Sequence, residues 1–373
     1  MNKYFDICAT TPIREEVLTF IHKNMQHVFG NPSSIHSFGQ KSKAMIERSR
    51  LDIANSINCS TSEVLFTCGG SISNNISLLG TLKKGDHFIT SSYEHPAILK
   101  VCDFLKKNEV DVTLIKPMES GIINPKDIES NIKANTKLIS IMYVNNEIGT
   151  INPISDISKL AQKHNVLFHT DAVQAMGKIE VDVKKMGIDL MSLSGHKFYA
   201  PKGIGILFVK EETLISPILF GGGQEFDLFP GTENVINIGA IGEATKLCSS
   251  SLNKHTDKMR ELDNYFISLL NKKNINYRIN GENRAPGILN ITLPETKSPS
   301  FIINLDRDGY AISAGSACAS GSIKGSHTLK EIGIPENEMG SSYRISFGKN
   351  HTQEDIDNLF SAILSHINHE KVK

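Results

Sequence analysis

From residue 60 to 210 the chain alternates short apolar runs with segments whose apolar residues recur at helical spacing. EVLFT (63–67), HFITS (87–91), VDVTLI (110–115), KLISIMYV (137–144), VLFHT (166–170), DLMSLS (189–194) and GIGILFV (203–209) predict strands. HPAILKVCDFLKKN (95–108) and ISDISKLAQKHN (154–165) predict helices between them. Strands that are nearly all apolar must be covered on both faces, so the pattern implies a mostly parallel sheet with helices on either side. Two helical segments precede this unit, within 12–28 and 36–57. A long helical region over 234–273, a few strands and a last helix near 352–368 follow it. The expected division is a large α/β domain over 12–250 and a smaller α+β domain built from 1–11 and 251–373. Neither internal repeats nor low-complexity tracts interrupt the pattern.

Composition narrows the function classes. The 373 residues carry 40 basic and 40 acidic side chains, so charge points to neither nucleic acid nor a membrane surface as a partner. The first residues, MNKYFDICATTPIREE, lack the apolar core of a signal peptide, and no apolar run approaches the length of a membrane span. Six cysteines are scattered without a C-x-x-C pair, which suits a reducing cytoplasm. The histidines and cysteines show no ligand-like spacing, so no metal is expected.

Three strand ends carry candidate chemistry. DLMSLSGHKFYAPKGIGILFV (189–209) ends a strand in Ser194-Gly195-His196-Lys197. Loops at the carboxyl ends of parallel strands are the usual ligand position, and a lysine there can form a Schiff base if burial lowers its pKa. Alone, it is most simply an exposed lysine. FHTDAVQ (168–174) places Asp171 and Gln174 after another strand, where an aspartate could keep the ring nitrogen of pyridoxal phosphate protonated or merely cap a turn. LFTCGGSISNN (65–75) sets Gly69, Gly70 and Ser71 between a strand and a helix, a natural phosphate cradle. The lysine, the aspartate and the glycine turn together describe a pyridoxal phosphate site. A fourth segment, SAGSACASGS (313–322), surrounds Cys318 with small residues. A packing cysteine usually has bulky neighbours, so the stretch predicts a thiol that moves.

YFDICATTP (4–12), GNPSSIHSFG (30–39), YEHPAIL (93–99), VNNEIGT (144–150), HTDAVQAMGK (169–178), SGHKFYAPKGIG (194–205), GGGQE…GTEN (221–234) and SAGSACAS (313–320) occur in this order. In that order they resemble the cysteine desulfurases, NifS/IscS-like members of the class V aminotransferase group. The resemblance implies the fold of type I pyridoxal-phosphate transferases, aspartate-aminotransferase-like, with a seven-stranded, mostly parallel sheet in the large domain. It implies conversion of L-cysteine to L-alanine with a persulfide formed on Cys318, carried on a long mobile loop as in group I members. Lys197 would carry the cofactor, Asp171 would pair with the pyridine nitrogen, and Gln174 would hydrogen-bond the phenolic oxygen. His95 would stack on the ring, with Asn146 near it. Gly70, Ser71, Ser194 and His196 would hold the phosphate, joined by Thr232 from a second subunit of a homodimer. Arg344 would bind the substrate carboxylate, with Asn31 beside it. The sulfur would pass to an acceptor such as an iron–sulfur scaffold protein or a tRNA-thiolation enzyme.

The chain departs from the resemblance at two places. Relatives read close to GGGQERGLRSGTEN where this chain has GGGQEFDLFPGTEN, so Phe226 and Phe229 replace arginines. Relatives carry Thr-Glu where this chain has Ser71-Ile72. If that glutamate pairs with one of the arginines in relatives, losing both avoids an unpaired charge, and Ile72 and Phe229 should then be neighbours. Selenocysteine lyase or another class V reaction would use the same lysine, aspartate and arginine. A binding or scaffold protein that has lost turnover is the alternative of a different class.

Overall fold

In the computed structural model, the described residues are 3–296, 300–314 and 325–371. Cys318 lies outside them. Seven strands form the main sheet: β1 Val64–Thr67, β2 His87–Ser91, β3 Asp111–Ile115, β4 Thr136–Ser140, β5 Leu167–Asp171, β6 Leu190–Ser194 and β7 Gly205–Val209. Their order is β1-β7-β6-β5-β4-β2-β3. β3, β2, β4, β5 and β6 run parallel, while β7 lies antiparallel between β6 and β1. β1, β2 and β6 are wholly buried, as strands covered on both faces by helices must be.

Helices Gly70–Thr81, Pro96–Lys107 and Ile154–Lys163 connect these strands. The last two match the expected segments to within two residues at each end. The region expected to be helical over 234–273 is two helices, Val235–Ser250 and Leu252–Lys272, joined at Ser251. Helix Ser37–Ile57 packs along Val235–Ser250.

A second sheet of three antiparallel strands, in the order β10-β9-β8, joins β8 Arg278–Ile279, β9 Ile288–Thr292 and β10 Ser342–Ser346. Its apolar cluster includes Phe266, Phe301, Tyr343 and Phe347, together with Phe5 from the amino-terminal segment. Ala285, Ile288, Leu329 and Ile332 side instead with the cluster of the main sheet. The amino-terminal segment bridges the two bodies. Tyr4 and Asp6 pair with Ala311 and Ser346, and Thr11 N donates to the His196 carbonyl at 2.9 Å. No helix among the described residues is long and apolar enough to cross a membrane. Among the same residues no group of histidine, cysteine, aspartate and glutamate could hold a metal ion.

Candidate active site

A cleft of about 430 Å³ opens at the carboxyl ends of β1, β5 and β6. Two elements build one end of it. After β1 the chain turns at Gly69, whose φ of +149° is open only to glycine, and enters helix Gly70–Thr81. A Cβ on Gly70 would lie 2.7 Å from Val173 Cγ2, so the cradle needs a bare backbone there. Gly70, Ser71, Ser194 and His196 line this end. His196 Nδ1 lies 3.1 Å from Thr10 Oγ1, and burial pushes its imidazolium down to about 4. It therefore stands there as a neutral ring at neutral pH.

The middle of the cleft is set by β5 and by the turn after β6. Asp171 closes β5 and is held by two donors. Asn74 Nδ2 reaches its Oδ2 at 2.8 Å, and the Val173 amide reaches its Oδ1 at 3.0 Å. Lys197, three residues after β6, donates from Nζ to the carbonyls of Cys8 at 2.7 Å and Ala9 at 2.8 Å. Burial is the main force on its ammonium, with Arg344 and Lys178 adding like charge, and holds its pKa at about 8 against an ordinary 10.5. Gln174, 3% exposed, donates from Nε2 to the same Cys8 carbonyl at 2.9 Å. His95 caps helix Pro96–Lys107, its Nδ1 accepting from the Ala97 amide at 3.1 Å. Burial lowers its pKa, against an opposing pull from Asp171.

Arg344 comes from β10, on the other sheet. It is 1% exposed and donates to Asp6 Oδ1 at 2.6 Å and to the Asn146 carbonyl at 2.7 Å. Its Nε has no hydrogen-bond partner, which leaves a buried donor for a ligand to satisfy.

The cleft thus gathers Gly70, Ser71, His95, Asn146, Asp171, Gln174, Ser194, His196, Lys197 and Arg344 from distant parts of the chain. Two expected residues lie elsewhere. Thr232 is exposed in the loop before helix Val235–Ser250 and does not line the cleft of its own chain. Asn31, expected beside Arg344, is also absent from the cleft of its own chain. Its loop leads into helix Ser37–Ile57, and its Oδ1 is turned onto the Ser33 amide at 2.9 Å.

Sequence reasoning missed Asn74, Asp6 and the paired carbonyls of Cys8 and Ala9. Asn74 stood one turn beyond the glycine pair, a spacing that marks it as sharing that face of the helix. The carbonyls leave no residue-type signal at all. Ile72 and Phe229 both pack against the apolar cluster of Leu65, Ile76 and Leu207.

The donor set suits pyridoxal phosphate: a lysine held near neutrality, a doubly anchored aspartate, a helix amino terminus behind a glycine turn, and an arginine with a free buried donor. Comparison with known proteins agrees. The Aminotransferase class-V family matches residues 3–359. The cysteine desulfurase IscS of Dictyoglomus turgidum is 41% identical over 360 residues, covering 95% of this chain and 91% of that one. The chain belongs to the cysteine desulfurases of the class V aminotransferase family. Among solved structures, a NifS-like protein superimposes with a TM-score of 0.93 at 29% identity, covering 99% of this chain and 100% of that one. SspA in complex with cysteine superimposes with a TM-score of 0.83 at 36% identity, covering 94% and 100%. Cysteine desulfurases of this family depend on pyridoxal phosphate and act on L-cysteine, which fits the lysine, aspartate and arginine assembled here.

Proposed function

We propose that this cleft takes L-cysteine to L-alanine and leaves the sulfur as a persulfide on Cys318. The observation that carries the reading is Lys197, a buried amine on two backbone carbonyls, in one cleft with the anchored Asp171 and the Arg344 guanidinium. Gly70, Ser71, Ser194 and His196 would hold the cofactor phosphate, with Thr232 of a second copy completing it in a homodimer. Asp171 would face the ring nitrogen, Gln174 the phenolic oxygen, and His95 and Asn146 the ring. When bound, pyridoxal phosphate supplies an electron sink for the pair released at the substrate α-carbon.

The chain's own residues would do the rest. Arg344, fixed by Asp6 and the Asn146 carbonyl, would bind the substrate carboxylate and orient the amino acid. Lys197 would take the α-proton and return it. With a pKa near 8, its nitrogen is unprotonated often enough to serve as a base at neutral pH. The Cys318 thiolate would then attack the substrate sulfur. A sulfur–sulfur bond forms, the carbon–sulfur bond breaks, and its electron pair stays with the carbon fragment, which takes up a proton and leaves as alanine. The sulfur would pass on to an acceptor protein, such as an iron–sulfur scaffold or a tRNA-thiolation enzyme.

Anaerobic incubation with L-cysteine and a dithiol tests this. Alanine and sulfide in equal amounts, lost in Cys318→Ser, are expected. A cofactor-loaded protein that makes neither product from L-cysteine overturns the reading, and product from L-selenocysteine alone would reassign the substrate.

A further inference from the structure

Lys178 is a buried lysine that the reaction does not call upon. It is 4% exposed, in the turn that follows Gln174. Gly177, at φ +76°, allows the chain to double back there, and Lys178 Nζ donates to Gln174 Oε1 at 3.1 Å. The titratable groups facing it are the Cys8 thiol, Lys197 after β6, Arg344 on β10, Cys248 on helix Val235–Ser250 and His255 on helix Leu252–Lys272. None of these is a carboxylate. Burying a lysine among cations and thiols is costly, so the side chain needs another reason to be there.

We propose that Lys178 is a positioning residue that fixes which end of the Gln174 amide faces the cofactor cleft. This rests on Gln174 as the partner of the cofactor's phenolic oxygen. As an ammonium, Lys178 can only donate, so the amide oxygen turns toward it. The amide nitrogen is then left to the cleft. One of its hydrogens goes to the Cys8 carbonyl at 2.9 Å, and the other is free for an anionic oxygen. The same carbonyl accepts from Lys197 Nζ at 2.7 Å, so Lys178, Gln174 and Lys197 share one line of hydrogen bonds. Without Lys178 only the Cys8 carbonyl opposes rotation of the amide, and a rotated amide would present its oxygen and repel the phenolate.

The test uses protein reconstituted with pyridoxal phosphate and counted for bound cofactor. The readout is the pH midpoint at which the cofactor-bound Lys197 nitrogen loses its proton, followed by visible absorbance. A donor on the phenolic oxygen stabilises the anion left behind, so its loss raises the midpoint. Lys178→Met should shift it up by about one pH unit, with Lys178→Ala as a second variant that lacks the donor. Lys178→Gln keeps an N–H donor and should restore most of the shift. In a Gln174→Leu background, Lys178→Met should add nothing further. An unchanged midpoint in the loaded Lys178→Met or Lys178→Ala protein overturns the proposal. So does a shift of equal size in the Gln174→Leu background, because Lys178 would then act by its field alone. A wild-type protein that binds no pyridoxal phosphate overturns the reading of the cleft itself.

Discussion

Burial, more than any ion pair, sets the protonation of the groups around the cleft. Lys197 is the clearest case. Its folded-state pKa of about 8 lies below the ordinary 10.5, so the unfolded chain binds more protons between those values. Stability should therefore rise with pH from about 8 to 10.5, and the rate at which cofactor-free protein takes up pyridoxal phosphate should rise through pH 8. Stopped-flow absorbance across that range checks the second point, and Lys197→Ala should lower turnover by about a thousandfold or more. Glu94, next to His95, is displaced the other way. It is 3% exposed, its Oε1 accepts from Ser91 Oγ at 2.6 Å and the Met142 amide at 2.9 Å, and its Oε2 has no hydrogen-bond partner. Burial, opposed by those two hydrogen bonds, raises its pKa to about 8 from an ordinary 4.5. The folded state then binds the extra proton, and that contribution is lost as pH climbs from 4.5 to 8. Glu94→Gln keeps the two accepted bonds and cannot ionise. Its Tm should exceed that of the wild type by a margin that widens over this range, as calorimetry at several pH values would show.

At the scale of elements, the segment with the altered sequence depends on a buried ion pair. Glu225, Phe226 and Asp227 have φ values of +47°, +58° and +65°, a left-handed run that costs each side chain strain. Glu225 holds it in place, accepting from Arg50 at 2.8 and 3.0 Å and from the Phe66 amide at 2.8 Å. The Arg50 guanidinium also sits over the rings of Phe66 and Phe226. Arg50→Ala would leave a buried carboxylate uncompensated, and urea unfolding should show a loss of about 3–5 kcal/mol. Ile72 and Phe229 pack against the same apolar cluster, which gives a second prediction. Ile72→Glu alone should destabilise by about 1–3 kcal/mol, because it brings a charge to an apolar contact. Adding Phe229→Arg should recover most of that loss in the same unfolding measurement.

Over the whole molecule, the amino-terminal segment ties the two sheets to the chemistry. Phe5 belongs to the core of the second sheet, Asp6 fixes Arg344, and Cys8 and Ala9 hold Lys197. One short stretch thereby holds both Arg344 and Lys197 in place. Asp6→Asn removes the charge that aims the guanidinium, and the KM for L-cysteine should rise several-fold with a smaller change in kcat. Steady-state kinetics on the loaded enzyme decides this, and an unchanged KM would show that the Asn146 carbonyl suffices to hold Arg344.

The chain's own pattern determined the strands of the main sheet and the positions of Lys197, Asp171 and the Gly69–Gly70 turn. Each is a local matter: apolar runs long enough for one strand, then the residue types that end it. The family resemblance also pointed to Arg344, although nothing local shows that a strand of the second sheet reaches the cleft. Only the tertiary structure decided the rest. Backbone carbonyls have no residue signature, so the seat of Lys197 on Cys8 and Ala9 could not be read, and neither could the Asn74 clasp on Asp171. Lys178 stood in a quoted motif without a role until folding buried it against Gln174. Asn31 was expected beside Arg344, but its Oδ1 turns onto the Ser33 amide in a loop outside the cleft of its own chain. Sequence spacing carries what neighbours along the chain impose on one another, whereas these contacts arise where segments far apart in the chain meet and must satisfy each other's buried polar groups.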